Sequence, residues 1–152
     1  MIKIRKAGPE DLATLRLFEQ DLIRTERPFD PTLKKDPINY YDLEKMMGDP
    51  DVELVVAEEE GKIIGSGYAL IKKAKHYLDH ENYAYLGFMY VLPGLRGQGV
   101  NALIIDRLMK FARAKGLSEI RLEVYEENES AIKAYEKSGF EKHLITMRTR
   151  IQ

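Results

Sequence analysis

Arg96-Gly97-Gln98-Gly99-Val100-Asn101 joins a strand-like run, residues 83–92, to a strongly amphipathic helix that ends before Gly116. Glycines at such a turn let the backbone approach a ligand closely. The start of a helix also offers unpaired N–H groups and a positive dipole end, which suit a phosphate. No Asp or Glu occurs between Gly97 and Leu103, and Arg96 adds positive charge. The turn therefore predicts a site for a phosphorylated cofactor.

Length and composition predict one soluble domain over residues 1–152. Hydrophobic residues make up 44% of the chain and charged residues 32%, the balance of a globular protein. The net charge of −1 argues against a nucleic-acid partner. The chain has no cysteine, which excludes disulfides and a cysteine nucleophile and fits a cytoplasmic location. Neither a signal-peptide core nor an apolar run of membrane-spanning length is present, so we expect no membrane partner.

Apolar periodicity and turn residues predict the order β-α-α-β-β-β-α-β-α-β-β. The predicted segments are a strand at 2–6, a helix opened by Gly8-Pro9, a short helix around 40–47, strands at 52–58, 63–71 and 83–92, the helix before Gly116, a strand at 120–125, a helix from Asn128 to Ser138 and a final hairpin at 140–151. Because the β-α-β portions need parallel crossovers while the central strands form a meander, the sheet should be mixed.

Two motifs in the right order identify a family. Leu92-Pro93 and Arg96-Gly97-Gln98-Gly99 come first, and Asn128, Ala131, Tyr135 and Gly139-Phe140 follow after a helix and a strand. Together they resemble the GNAT superfamily of acyl-CoA-dependent N-acyltransferases. The resemblance implies an α/β fold with a mixed, mostly antiparallel central sheet flanked by helices, and it covers nearly the whole chain.

The same resemblance implies roles for particular residues. The backbone amides of Arg96 to Asn101 would wrap the pyrophosphate of coenzyme A. The strand segment Met89-Tyr90-Val91 would pair its backbone with the pantetheine arm and supply an N–H to the oxyanion. Asn128 would contact the cofactor, and Tyr135 would lie near the sulfur as general acid.

Two positions depart from the family pattern. Asn101 replaces the usual small residue at the sixth motif position, and Leu86-Gly87-Phe88 stands where many members carry a carboxylate as general base. The base must therefore come from elsewhere. Glu123, on the strand after the cofactor helix, is the best-placed carboxylate, although an outward-facing charge on a half-solvated strand is the simpler interpretation of it. Glu26 and Asp30, in the loop that the family uses for acceptor binding, are further candidates.

The chemistry of acyl transfer sets what these residues must do. A lysine-like amine is neutral at pH 7 only at a cost of roughly 4.6 kcal/mol, so a base or an acidic amine is required. A phenol stays protonated at this pH, so Tyr135 can donate a proton to a thiolate, although it could also simply pack beside Ala131. Gly87 could mark a β-bulge that opens the wedge for pantetheine.

We therefore predict an N-acetyltransferase that moves an acetyl group from acetyl-CoA to a primary amine by direct attack in a ternary complex. The acceptor would be a small molecule or a peptide, and the edge of the final hairpin could support a homodimer. A non-catalytic acyl-CoA-binding module is the alternative, since the usual carboxylate is missing. A nucleotide-binding domain fits poorly because a third glycine and a P-loop lysine are absent. No metal is expected, since His76, His80 and Glu81 lie in a polar loop without a further ligand.

Overall fold

The computed structural model describes all residues from 1 to 152. The strands are β1 (Ile2–Lys6), β2 (Val52–Glu59), β3 (Lys62–Lys73), β4 (Asn82–Val91) and β5 (Ile120–Leu122). The helices are α1 (Leu12–Glu26), α2 (Leu43–Met47), α3 (Val100–Ala114) and α4 (Glu129–Lys137). None of these helices combines the length and the apolar character that a membrane crossing requires.

The five strands form one sheet in the order β1-β2-β3-β4-β5. The first four strands pair antiparallel, and β4 pairs with β5 in parallel through the crossover helix α3. The predicted mixed, mostly antiparallel sheet is confirmed. Helix α3 covers one face of this sheet, while α1 and α2 cover the other.

A β-bulge interrupts β4 at its centre. Ser66 pairs with Tyr90 and Tyr68 pairs with Gly87, so two residues of β4 stand opposite one residue of β3. Phe88 takes a left-handed backbone conformation there, with φ 53°. The buried Ser66 hydroxyl donates a 3.0 Å hydrogen bond to the Phe88 carbonyl and so holds the bulge in place. The bulge predicted near Gly87 is present.

The bulge changes which face of the sheet each β4 side chain occupies. Simple alternation would place residues 86, 88 and 90 on one face. Instead Leu86 packs in the core under α3, while Phe88 and Tyr90 pack in the core under α1 and α2. Gly87 is required because a Cβ at this position would lie 2.3 Å from the Tyr68 ring.

Two predicted elements are shorter or absent. The strand predicted over residues 120–125 ends at Leu122, and the hairpin predicted over residues 140–151 does not form. Pairing between β4 and β5 stops at Leu86, immediately before the bulge, so Glu123 has no strand to pair with. The segment from Glu141 to the last residue is exposed throughout, and it contains no Gly, Pro or Asn to close a tight hairpin turn.

Candidate active site

The turn before α3 presents an uninterrupted row of free backbone donors. From Arg96 to Ala102, no backbone N–H donates a hydrogen bond within the protein. The first turn of α3 contains no acidic residue. Unpaired amides and the positive end of the helix dipole therefore act together at one place, the arrangement that binds a phosphate group.

The two glycines of the turn give this row its shape. Gly97 and Gly99 have φ values of 79° and 85°, a left-handed conformation that other residues adopt only with strain. No atom lies within 4 Å of a Cβ built at either glycine, so the space beside them is open. Asn101 is partly buried on the helix itself. Arg96 folds back from the turn, where its Nε donates a 3.1 Å hydrogen bond to the Val91 carbonyl.

A gap between β4 and β5 leads away from this turn. The two strands pair only over Ala84 to Leu86, so the backbone from Gly87 to Val91 has no strand partner on the β5 side. The predicted pantetheine segment, Met89-Tyr90-Val91, lies in this unpaired part. This edge has no strand partner, and only the Val91 carbonyl is engaged there, by Arg96, so an extended chain could add to the sheet as a further strand does.

Helix α4 follows β5, the strand on the other side of this gap. The Asn128 side chain caps the helix by accepting a 3.4 Å hydrogen bond from the Ala131 N–H. The rings of Tyr135 and Phe140 form a T-shaped pair, with their centroids 5.9 Å apart. The pKa of the Tyr135 hydroxyl is raised to about 12, first by burial and then by the negative charge of Glu26. Tyr135 is therefore protonated at neutral pH and can donate a proton.

The chain between α1 and α2 is tied firmly to α1. Glu19 is 1% exposed, and its carboxylate accepts 2.8 Å hydrogen bonds from the backbone N–H groups of Tyr40 and Tyr41. The Gln20 side chain donates to the Ile38 carbonyl at 3.0 Å. These bonds keep the segment extended, so α2 begins only at Leu43, after the Asp42 cap, and not around residue 40 as predicted.

Glu26, at the end of α1, lies among tyrosine side chains. Burial raises the pKa of four phenols, which belong to the segment before α2, to the chain after β5 and to α4, and the charge of Glu26 adds to the effect at each: Tyr40, Tyr41, Tyr125 and Tyr135. Burial, opposed by the nearby Tyr40 hydroxyl, raises the pKa of Glu26 itself. The Tyr40 hydroxyl is buried and has no hydrogen-bond partner.

Asp30, four residues further along, has a contrasting environment. Its carboxylate accepts hydrogen bonds from the Thr32 hydroxyl, from Arg148 at 2.9 Å and from the Tyr125 hydroxyl at 3.0 Å. The Thr32 and Arg148 bonds hold the pKa of Asp30 well below its usual value. The Tyr125 ring stacks on Phe29 at 6.0 Å. Asp30 is a structural anchor that ties the last segment of the chain to the α1–α2 connection.

Glu123 lies one residue beyond β5 and is exposed. Its carboxylate accepts a 2.9 Å hydrogen bond from the Tyr85 hydroxyl, and its charge adds to the effect of burial in raising the pKa of Tyr85. In the loop before β4, the ring nitrogens of His80 contact Asp79 at 2.7 Å and Arg121 at 3.1 Å. The structure brings no three His, Asp or Glu side chains together in a way that could hold a metal ion.

Sequence reasoning missed the tyrosines around Glu26 as a group. Tyr40 and Tyr41 resemble core residues in the sequence, and Tyr125 resembles part of a strand. No short-range spacing relates these residues to Glu26, because they belong to different elements. Glu19 was missed for the same reason, since its hydrogen-bond partners follow it by about twenty residues.

The comparisons agree with this geometry. Residues 16–140 match the model of the acetyltransferase (GNAT) family. The chain belongs to that family. This confirms the family that the two motifs predicted.

Individual relatives show how far the likeness extends. An acetyltransferase of Pectobacterium atrosepticum is 38% identical over 97 residues, which are 64% of this chain and 62% of that protein. The match thus spans less than two thirds of the relative's length. The fold is similar to that of the BH1408 protein from Bacillus halodurans, with TM-score 0.85 and 17% identity over 98% of this chain and 99% of that one. It is also similar to the aminoglycoside N-acetyltransferase AAC(6')-Iy in complex with CoA, with TM-score 0.76 and 22% identity over 98% and 100% of the two chains.

Proposed function

We propose that this protein is an N-acetyltransferase that transfers the acetyl group of acetyl-CoA directly to a primary amine in a ternary complex. The row of unpaired N–H groups from Arg96 to Ala102 carries this proposal. It offers a phosphate-bearing ligand several donors at once and needs no charged side chain. The structural neighbour that contains CoA supports the choice of donor.

The remaining predicted residues have defined parts in this proposal. The amides of Arg96 to Asn101 bind the pyrophosphate, and the free edge of Met89-Tyr90-Val91 pairs with the pantetheine arm. An N–H of that edge faces the oxyanion as it forms. Asn128 combines its role as a helix cap with a contact to the cofactor. Tyr135 protonates the departing sulfur.

The acceptor side of the proposal centres on Glu26. Glu26 and the tyrosines around it combine a negative charge with aromatic surface, which suits a protonated amine. The aminoglycoside acetyltransferase neighbour makes an amino sugar one reasonable acceptor to test. Glu123 stays a candidate base, but an acceptor would have to compete with Tyr85 for its carboxylate.

A screen with acetyl-CoA tests the function. The panel contains neamine, spermidine and a lysine-containing peptide, and release of free CoA is measured with each. We expect turnover with at least one amine. Acetyl-CoA binding by calorimetry without any turnover would instead support the second candidate, a non-catalytic acyl-CoA-binding module, which the missing carboxylate at Leu86-Gly87-Phe88 favours.

The proposal also includes a homodimer and a cytoplasmic location. Large apolar side chains of the last segment are exposed, among them Leu144 at 84%, Met147 at 89% and Ile151 at 96%. The outer edge of β5 has no strand partner. A second copy could cover both features, and sedimentation of the whole chain measures its mass in solution. The absence of cysteine fits a reducing compartment.

A further inference from the structure

The carboxylates around the proposed site differ in what they bind. Asp30 is held by Thr32, Arg148 and Tyr125, and Glu123 accepts from Tyr85. Three more carboxylates are engaged as well: Glu19 accepts two backbone N–H groups, Asp21 accepts from Arg24 and Tyr90, and Asp36 accepts from Arg27. A carboxylate that is already engaged must lose a partner before it can take a proton from a substrate.

Glu26, which is partly buried, differs from these five carboxylates. No cation pairs with it, and the nearby Tyr40 hydroxyl makes no hydrogen bond to it. The side chain is partly buried at the end of α1. The groups that face it are one carboxylate and four phenols: Asp30, Tyr40, Tyr41, Tyr125 and Tyr135. A carboxylate without a cation among such groups can offer its full charge to an ammonium group.

The position of Glu26 relative to Tyr135 gives this free carboxylate a use. Asp30, four residues after Glu26, accepts a 3.0 Å hydrogen bond from Tyr125, and the Tyr125 ring stacks on Phe29, so the chain at the end of α1 packs against the segment that joins β5 to α4. Helix α4 carries Tyr135, the proposed proton donor to the sulfur. Burial and then the charge of Glu26 raise the pKa of the Tyr135 hydroxyl, which agrees with this placement. An amine placed between Glu26 and Tyr135 has a base on one side and the reacting thioester on the other.

We propose that Glu26 is the base that takes the proton from the acceptor's ammonium group before acyl transfer. This inference rests on the proposed function, since it names the base that the family motifs leave open. An ammonium group is a weaker acid than a carboxylic acid, so the transfer is uphill. Partial burial of an unpaired carboxylate reduces that difference, because it makes the carboxylate a stronger base than one in water.

One ammonium proton moves to Glu26, and the nitrogen lone pair then forms a bond to the thioester carbonyl carbon. The tetrahedral intermediate collapses, the C–S bond breaks, and the sulfur receives a proton from the Tyr135 hydroxyl. The second proton on nitrogen restores the phenol, and Glu26 releases its proton to solvent. The net products are the amide, CoA thiol and one proton.

The experiment compares the wild type with the Glu26→Gln variant. The substrates are the fastest amine of the panel above and hydroxylamine, which is already neutral at pH 7. With the panel amine, we expect kcat/KM of the variant at pH 7 to fall about 10²- to 10³-fold. The residual activity should rise about tenfold per pH unit as a larger fraction of the ammonium group loses its proton to solvent. With hydroxylamine the two proteins should differ by less than about threefold, a result that a purely structural defect would not produce.

Further variants keep the test decisive. Glu126→Gln, at an exposed glutamate without an ion pair, controls for the loss of one negative charge. Glu26→Asp keeps the charge and should retain the wild-type pH profile at reduced rate, so it replaces Glu26→Gln if that variant does not fold. Acetyl-CoA affinity by calorimetry should be the same in all of them.

Two outcomes overturn the inference. One is a Glu26→Gln variant that is as active as the wild type on the panel amine, or that loses the same factor with hydroxylamine. The other is the expected pH signature in Glu123→Gln instead, which would identify Glu123 as the base. If the wild type acetylates no amine at all, the proposed function itself fails, and the two failures are thereby distinguished.

Discussion

The turn before α3 and the Glu26 region build their binding groups in opposite ways. The turn uses consecutive backbone N–H groups from Arg96 to Ala102, and the shape depends on two left-handed glycines. The Glu26 region uses side chains from α1, from the segment before α2, from the chain after β5 and from α4. Backbone donors are encoded locally, whereas a side-chain cluster exists only after the fold has assembled it.

The two regions also differ in charge. The turn is positive and has no acidic residue in its first helical turn, while the Glu26 region carries a carboxylate without an ion pair among phenols. The first suits the diphosphate of the donor, and the second suits the ammonium group of an acceptor. Substitutions in the turn should therefore alter donor affinity, and those near Glu26 should alter catalysis or acceptor binding.

The largest effect is expected from Gly99→Val. A β-branched residue at φ 85° costs about 1–2 kcal/mol, and its side chain would fill the open space where phosphate approaches. Each hydrogen bond lost to a charged group costs about 1.5–3 kcal/mol more. We expect acetyl-CoA affinity, measured by calorimetry, to fall about 10²- to 10³-fold.

The matched control for this change lies in the same turn. Gly94 has no atom within 4 Å of a built Cβ and does not need a left-handed backbone. Gly94→Ala should therefore leave the affinity within about twofold of the wild type. Unchanged affinity in Gly99→Val would remove the pyrophosphate assignment from this turn.

Tyr135→Phe is expected to have the next largest effect, and it tests whether the two regions meet. Loss of the phenolic proton donor should lower kcat about 10²-fold while acetyl-CoA affinity stays the same. Tyr77→Phe serves as control because Tyr77 is 68% exposed in a loop. Full activity in Tyr135→Phe would show that Tyr135 has only a packing role, in its contact with Phe140.

The comparison also explains what the sequence could predict. The mixed sheet, the α3 helix and the glycine turn follow from short-range patterns, and all of them are present. The end of β5 could not be predicted, because it depends on the bulge at Phe88, whose left-handed conformation is unusual for a non-glycine residue. The grouping of residues around Glu26 could not be predicted either, because Tyr125 and Tyr135 are about a hundred residues away in sequence and come near Glu26 only in the folded chain.

Glu19→Ala should have an intermediate effect on stability and tests how the Glu26 region is held. The variant loses two buried hydrogen bonds to the Tyr40 and Tyr41 amides and leaves both N–H groups without a partner. Urea denaturation should show a loss of about 2–4 kcal/mol. Glu126→Ala, at an exposed position, should change stability by less than about 0.5 kcal/mol.

Glu19 holds the segment before α2. If this segment shapes only the acceptor site, KM for the acceptor should also rise in Glu19→Ala while the acetyl-CoA affinity stays the same. A variant that lost both equally would show that the α1–α2 connection also shapes the donor site.

The smallest expected effect is on thermal stability, and its sign at pH 7 differs between substitutions at Glu26 and at Asp30. Burial raises the pKa of Glu26 in the folded state, so its ionisation opposes folding above that pKa. Hydrogen bonds from Thr32 and Arg148 lower the pKa of Asp30, so its ionised form favours folding above the unfolded value. At pH 7, Glu26→Gln should therefore raise Tm by about 1–3 °C, and Asp30→Asn should lower it.

The two differences should disappear in different pH ranges. The Tm difference between Glu26→Gln and the wild type disappears as the pH falls from the raised pKa of Glu26 in the folded state to the unfolded value near 4.3. The wild-type carboxylate is then protonated in both states. The Tm difference between Asp30→Asn and the wild type persists to lower pH, and it decreases only when Asp30 takes up a proton in the folded state. Thermal melts of the three proteins between pH 3 and 8 measure both curves. Parallel curves would show that the two carboxylates have the same environment and that Glu26 is not the free one.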